Sequence, residues 1–452
     1  MQGRPVTKLL VANRGEIARR VIRTASQMGI TTVAVHGEAD RNAAYVAEAD
    51  EAFFLGAEAD GVPFLNADVL LSCAKQTACD ALHPGYGFLA ERADFAQQVL
   101  DAGLVWVGPP PAVMLAMAEK DAAKTRAKAA GVPVLDGFAC HGVDDDAIAE
   151  KAAAMGFPLL IKAVAGGGGR GMRVVRSTSE LRAGLGVASA EAAKSFGDDR
   201  LLIERFVARG RHVEVQIFAD MHGNVVHLFE RECSVQRRHQ KIIEESPAPT
   251  LDEPLRERIW QAAVRLAEQI GYVNAGTVEF LVDDDRGDFA FLEVNARIQV
   301  EHPVTEARIG VDLVRWQLLV AQGAELPLKQ AQICASGHAI EARLCAEDPD
   351  ADHRPQAGSV LAWRAGAGVR VDSAFDPAAS DQSVPVHYDS MVAKLIAHAP
   401  TRDEAIAKLD RALGDTVLFG LRTNRTFLRQ IVTSSAFRAG ATTTSFLADN
   451  PL

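Results

Sequence analysis

Leu292-Glu293-Val294-Asn295-Ala296-Arg297-Ile298-Gln299-Val300-Glu301-His302 alternates polar and apolar residues. Glu293, Asn295, Arg297, Gln299 and Glu301 stand on one side of the alternation, and Leu292, Val294, Ala296, Ile298 and Val300 on the other. A period of two is what a half-buried β-strand produces. Its polar face carries oxygen ligands around one fixed positive charge, which suits a reaction floor better than a solvated surface. Just upstream, Thr277 to Val282 reads as the partner strand and Asp283 to Asp288 as the hairpin turn, so Glu279 and Glu293 belong to neighbouring strands. Two carboxylates about 4 Å apart repel by roughly 4 kcal/mol at an effective dielectric of about 20, so a cation is expected between them. Carboxylate and amide oxygens select a hard divalent ion. From Glu293 to Glu301 an extended chain would span about 26 Å, too far for both to serve one small reaction centre. The strand is therefore expected to end near Arg297 and turn.

Working outward, Lys8 to Ala12, the turn Asn13-Arg14-Gly15, the helix Glu16 to Met28 and the strand Thr32 to His36 form a βαβ unit. One glycine in that turn is too few for a dinucleotide fingerprint. Met114 to Ala130 reads as one helix carrying Lys120. Phe157 to Ala163, ending beside Lys162, and Met172 to Val175 read as strands, with Ala165-Gly166-Gly167-Gly168-Gly169-Arg170-Gly171 between them. A Rossmann loop must open a helix, and a P-loop needs Gly-Lys-Ser/Thr, so this run is neither. A glycine-rich loop between strands can instead bring backbone N–H groups close to phosphates. Leu201 to Val207 reads as a strand leaving this small unit, and Arg211 to Ile217 as a strand with His212 and Glu214 on one face. The segment Glu230 to Lys241 is the densest basic cluster and reads as a funnel for a small polyanion, with a solvated charged loop as the plain alternative. Arg256 to Ile270 is an amphipathic helix, Gly337 to Ala346 a strand containing Arg343, and Thr401-Arg402-Asp403-Glu404 a capping box.

The 452 residues, 48% of them hydrophobic, suffice for two to four domains. A net charge of −11 argues against a general nucleic-acid binder. Without a long apolar run or a signal-type h-region, membrane insertion and secretion are not expected, and the cytoplasm is the expected compartment. The six cysteines include no C-x-x-C pair, which points to neither zinc nor a disulfide framework.

Taken together, Ala12 to Ala18, His83 to Leu89, Gly166 to Met172, Gln236 to Lys241, Arg297 to Glu306 and Tyr388-Asp389-Ser390-Met391 resemble the biotin carboxylase component of biotin-dependent carboxylases, an ATP-grasp enzyme, over essentially the whole chain. The resemblance implies a mixed α/β and α+β fold: an N-terminal α/β domain at 1–110, a linker helix at 111–134, a small mobile lid at 135–206 and a large C-terminal domain at 207–452. It places ATP near Lys120, Lys162, His212, Gln236 and His239, with Glu204, Arg205, Phe206 and Val207 around the adenine and Gly167, Gly168 and Gly169 over the phosphates. Glu279 and Glu293, helped by Asn295, would hold Mg²⁺ or Mn²⁺. Lys241, Arg297, Gln299, Val300 and Glu301 would hold bicarbonate, with Glu301 as base and Lys241 and Arg297 as the positive field. Tyr86 and Arg343 would meet biotin, Arg343 stabilising its ureido oxygen.

The implied chemistry is phosphorylation of bicarbonate to carboxyphosphate, then carboxylation of the biotin ureido nitrogen. No methionine is followed by lysine, so biotin is expected on a carrier domain elsewhere, with a carboxyltransferase as further partner and a homodimer or larger assembly. The chain is expected to be the first domain of an acyl-CoA carboxylase α-subunit; a pyruvate or urea carboxylase, another ATP-grasp ligase and a silent nucleotide-binding subunit are the alternatives. Ala165, Ala296 and His353 to Gly358 depart from the family pattern without touching an expected catalytic side chain.

Overall fold

The computed structural model describes residues 4–164 and 172–451. The expected βαβ unit opens a parallel five-stranded sheet of β1 (Lys8–Val11), β2 (Thr31–Gly37), β3 (Glu51–Gly56), β4 (Ala81–His83) and β5 (Val105–Trp106), in the order β3-β2-β1-β4-β5. The helix Gly15–Gln27 crosses between β1 and β2 and stops at Met28, where Gly29 takes the positive φ of a helix C-terminus. Its buried Glu16 reaches away from this sheet to meet Lys394 of the largest sheet, so the first helix is tied to the site by charge as well as by packing.

A second, antiparallel sheet has the order β6-β9-β7-β8, from β6 (Gly137–Ala139), β7 (Leu159–Ala163), β8 (Arg173–Val175) and β9 (Leu201–Arg205). Helices Asp145–Met155 and Thr178–Phe196 contribute Ile148, Ala152, Leu181 and Leu185 to its separate core. Between the first two sheets the single expected helix is broken. Pro111–Ala118 and Lys120–Ala129 are distinct helices, and Glu119 is extended between them. The break redirects the chain so that the second helix packs against a strand of the third sheet and starts at Lys120.

That third sheet is antiparallel and has eight strands. Six are β10 (Gly210–Ala219), β11 (Val225–Arg237), β12 (Gln240–Ser246), β13 (Asn274–Asp283), β14 (Asp288–Asn295) and β15 (His338–Cys345). The order is β14-β13-β10-β11-β12-β15, followed by Met391–Ala399 and Arg370–Ser373. The helix Glu253–Gln269 buries Ile259, Ala263 and Leu266 against it, and Arg402–Asp415, with both halves of the Thr401/Glu404 capping box formed, packs at the other end.

Two expectations are corrected here. The basic segment at 230–241 is not a loop: it is the β11–β12 hairpin, whose two-residue turn Arg238-His239 takes positive φ at both positions. Most of its charge points inward. Arg231 is completely buried and Arg237 pairs with Glu347, so the polyanion funnel is absent from this segment; the charges balance one another inside the sheet. Nor does strict alternation survive in β14, where Phe289, Ala290 and Phe291 are all buried and so are Val294, Asn295 and Ala296. Both faces are covered, Phe289 and Phe291 by one core and Ala290 by Leu135 and Val207, and a bulge also shifts the register. Glu279 opposes Glu293 but Phe280 opposes Phe291, leaving Leu292 as the extra residue. The strand does end near Arg297, at Asn295, and the chain turns through Ile298 and Val300 into the helix His302–Ile309. No helix among the described residues is long and apolar enough to cross a membrane.

Candidate active site

Lys241, just inside the β11–β12 hairpin, is the hub. Its Nζ donates to Glu214 at 2.6 Å, Glu301 at 2.7 Å and Glu279 at 2.9 Å. Glu214 and Glu279 face each other across β10 and β13, and Glu301 arrives from the segment after β14, immediately before the helix His302–Ile309. Burial alone would lower the lysine pKa, but three carboxylates outweigh it and raise it well above its ordinary value. Burial likewise works to raise the pKa of Glu301, and the charges of Lys241, Arg343 and Arg231 reverse that and hold it well below the carboxylate range. Glu301 is therefore ionised, and its proton affinity stays low for as long as those cations hold it.

Arg343 donates to Glu301 at 3.0 Å and through Nε to Glu244 at 2.6 Å. Arg297 is oriented by Glu91, whose two oxygens accept from the Arg297 Nε and from the Ala296 backbone N–H, both at 3.0 Å. Its remaining nitrogens donate to the Ile298 carbonyl at 3.2 Å and to Asn295 Oδ1 at 3.0 Å. Gln299 spans from Arg231, at 2.6 Å, to Glu279, at 3.1 Å. The Val300 carbonyl accepts from Lys394 at 2.8 Å. Tyr86 gives its hydroxyl to Glu16, which also pairs with Lys394 at 3.0 Å.

At the other end of the floor, Glu279 and Glu293 are direct cross-strand partners. Burial, and then the neighbouring Glu279 charge, raise the Glu293 pKa, while Lys120 opposes them. Glu279 is the better compensated of the two: its Oε1 accepts from Asn295 at 2.9 Å as well as from Lys241, and its Oε2 lies 2.9 Å from His212 Nε2. His212 Nδ1 is 3.0 Å from Gln236. A hard divalent ion fits this carboxylate pair, because burial and Glu279 still raise Glu293 against the opposing charge of Lys120, and the oxygen donors are of the right chemistry. Asn295 fits as the group that orders Glu279 and Arg297, both its polar atoms being engaged with those two side chains.

Lys162 and Lys124 converge on the buried Glu204, Lys162 at 2.5 Å. Burial, and then the charge of Lys120, bring the Lys162 ammonium down to about 8. Burial lowers Lys120 too, with Glu293 opposing it. Cations in this condition are stabilised by an incoming polyanion. Arg205 is held by Asp283 at 2.8 Å, the Phe206 N–H donates to Pro158, and Val207 packs with Leu135 and Ala290 where the second sheet meets the third. His239 stands exposed at the hairpin tip. Gly167, Gly168, Gly169 and Ala165 lie outside the described residues.

The fold thus brings Lys241, Glu301, Arg343, Arg297, Gln299, Asn295, Glu279 and His212 into one connected network. Sequence reasoning missed Glu91, Glu244 and Lys394 and took Arg231 for part of a surface funnel. Glu214 carried a signal, since it alternates with His212. So did Lys394, a lone charge in the apolar run Val392 to Ala397.

A broad antiparallel floor carrying paired glutamates, beneath a smaller antiparallel sheet bearing lysines, defines an ATP-grasp enzyme. The chain belongs to the biotin carboxylase family: the biotin carboxylase N-terminal domain matches residues 5–114 and the biotin carboxylase C-terminal domain residues 341–449. Between them, the carbamoyl-phosphate synthase L chain ATP-binding domain matches residues 119–329. Biotin carboxylase 1 of Bacillus subtilis is 46% identical, over 98% of both chains. The mitochondrial methylcrotonoyl-CoA carboxylase subunit alpha of Rattus norvegicus is 47% identical over 98% of this chain, which spans 62% of that relative's length. Among solved structures, a biotin carboxylase complex with a β,γ-ATP ligand from Campylobacter jejuni superposes with a TM-score of 0.94 at 40% identity, covering 99% of both chains. The biotin carboxylase domain dimer of Hydrogenobacter thermophilus 2-oxoglutarate carboxylase, solved with MgADP, ADP and bicarbonate, gives 0.92 at 39% identity, covering 100% of this chain and 98% of that one.

Proposed function

We propose that the chain uses ATP and bicarbonate to carboxylate biotin presented on a carrier domain, the first half-reaction of an acyl-CoA carboxylase. The observation that carries this is Glu301, an ionised base held at 2.7 Å by Lys241 and 3.0 Å by Arg343 at one end of a floor whose other end is the Glu279/Glu293 pair. A proton acceptor between two cations is what a weak oxyanion nucleophile requires.

ATP lies with its phosphates toward Lys120 and Lys162, its adenine toward Glu204 to Val207, and Gln236, His212 and His239 on the near side. Glu279 and Glu293 would hold Mg²⁺, which when bound neutralises phosphate charge. Bicarbonate sits among Lys241, Arg297, Gln299, Glu301 and the Val300 backbone. The planar Arg297 fork, aimed by Glu91, suits a planar oxyanion. As bicarbonate draws Lys241 toward itself, the hold on Glu301 weakens and its basicity rises, so the proton moves to Glu301 as the bicarbonate oxygen attacks the γ-phosphorus. ADP leaves as the γ-phosphorus is attacked, and the C–O bond of carboxyphosphate then breaks to give CO2 and phosphate. The phosphate takes the ureido N–H proton and the nitrogen bonds to CO2, with the biotin oxygen met by Arg343 and the site walled by Tyr86. A closing lid over 135–206 excludes water from an intermediate that hydrolyses readily.

The carboxyl acceptor is an acyl-CoA bound by a carboxyltransferase component; similarity to methylcrotonoyl-CoA carboxylase subunits supports this. The dimer described for the Hydrogenobacter domain supports a homodimer. ATP and bicarbonate supply fits the cytoplasm.

The deciding assay is phosphate release by the Mg²⁺-loaded protein. It is expected to rise with bicarbonate and again with free biotin, and a rate indifferent to bicarbonate would sink the assignment. Glu91→Ala tests the bicarbonate station separately. Loss of a charge-assisted hydrogen bond of about 1.5 kcal/mol should raise the bicarbonate KM roughly tenfold. The KM for ATP should stay unchanged, and equal effects on both substrates would show that Glu91 does not act through Arg297.

A further inference from the structure

Behind Arg343, on the same face of the sheet, Glu341 of β15 stands directly opposite Glu244 of β12. Both are completely buried. Like charges at directly opposed positions destabilise a sheet, and the more so where both side chains are withdrawn from solvent. Glu244 gives one oxygen to Arg343, while its other oxygen and both oxygens of Glu341 have no hydrogen-bond partner. One proton between the two facing carboxyls would engage two of these three orphaned oxygens, since a carboxylic acid donates where a carboxylate can only accept.

The surroundings allow one negative charge there but not two. Lys394 faces the pair from Met391–Ala399, and it is already shared with Glu16 at 3.0 Å, with Asp372 at 4.0 Å. Arg343 on Glu341's own strand is shared with Glu301, which comes from the segment after β14. The helix His302–Ile309 covers this face with Val304 and Ala307, packed on Ala339 and Ile396, and its one titratable group toward Lys394 is the buried His302, which burial and that lysine keep neutral. We propose that Glu341 shares one proton with Glu244, so that the pair carries a single negative charge at near-neutral pH and acts as a positioning element that leaves Arg343 free to turn from Glu244 toward the biotin oxygen. Burial, followed by Lys394 in opposition and Glu244 in support, raises the Glu341 carboxyl well above its ordinary value. Burial against Arg343 pushes Glu244 up to about 7.

The functional part rests on the assignment of Arg343 to biotin made above. The direction of its pH dependence follows. Loss of the shared proton to solvent puts a second negative charge behind Arg343, draws the guanidinium back and lowers kcat/KM for biotin on the alkaline side. Glu341 binds its proton more tightly folded than unfolded, so its contribution to stability also declines as pH rises above the ordinary carboxylate pKa.

The test compares the full chain with Glu341→Gln, in which the amide donates to Glu244 but cannot ionise. In the parent, infrared spectra near neutral pH should show the carbonyl band of a protonated buried carboxylic acid, fading on alkaline titration and missing from Glu341→Gln. The alkaline decline of kcat/KM for free biotin should move up by at least about one pH unit in the variant, with KM for ATP unchanged. A parent without the band, or coincident alkaline limbs in parent and variant, overturns the proposal. Should Glu341→Gln not fold, Glu244→Gln takes its place, and a carbonyl band left unchanged in that variant overturns the proposal. A band in a parent that shows no bicarbonate-dependent turnover would overturn the functional assignment while supporting the shared proton.

Discussion

Glu301→Gln should bind ATP as the parent does and lose roughly 10²-fold or more of its bicarbonate-dependent turnover, the range for removing a general base. The amide keeps the size of the side chain, but its single oxygen can accept from only one of Lys241 and Arg343, which hold different oxygens of the carboxylate at 2.7 and 3.0 Å. It cannot take a proton from bicarbonate. The proposed nucleotide contacts, Lys120, Lys162 and Glu293, do not touch Glu301, so the nucleotide Kd should be spared. Steady-state phosphate release gives kcat, and fluorescence titration with a nucleotide analogue gives Kd. Normal turnover would remove Glu301 from the base role, and a parallel loss of nucleotide affinity would show a structural role instead.

The second large effect is on folding. Arg231 is completely buried and donates to Glu214 at 2.6 Å, Gln299 at 2.6 Å, Gln216 at 2.8 Å, Thr305 at 3.0 Å and Thr277 at 3.2 Å. Arg231→Met fills similar space but leaves the buried Glu214 with Lys241 as its remaining cation and strands acceptors on Gln216, Thr277, Gln299 and Thr305. Breaking such a pair by removing one partner costs about 3 to 5 kcal/mol, whereas replacing both partners costs far less. Denaturant unfolding should therefore show a loss of about that size for Arg231→Met, partly recovered when Glu214→Gln is added. A single variant as stable as the parent would mean that Arg231 is dispensable to the interior and would revive its assignment to a surface funnel.

Arg231 also shows why part of the site was illegible. In the sequence, Glu230-Arg231-Glu232 next to Gln236-Arg237-Arg238-His239-Gln240-Lys241 has the composition of a solvated loop. Nothing local reveals that Arg231 meets Glu214 of β10, Glu232 meets Arg211 of β10 and Glu230 meets Arg256 of a later helix. Glu91 was hidden for the same reason, being 206 positions from the arginine it orients. The break at Glu119 was hidden too, because the residues around it all suit a helix and packing against β14 redirects the second segment.

By itself, the sequence determined the βαβ opening, the hairpin that sets Glu279 opposite Glu293, the capping box at Thr401, and the need for the chain to turn near Arg297. Each follows from short-range stereochemistry: a period of two, a turn composition, a cap, or a distance too long to span. Only the tertiary structure decided how Leu292 to His302 is used. A bulge at Leu292 resets its faces, β14 stops at Asn295, and Glu301 swings to the head of a helix where Lys241 and Arg343 reach it. Those partners come from β12 and β15, and buried charges must be balanced by whichever neighbours the completed sheet provides.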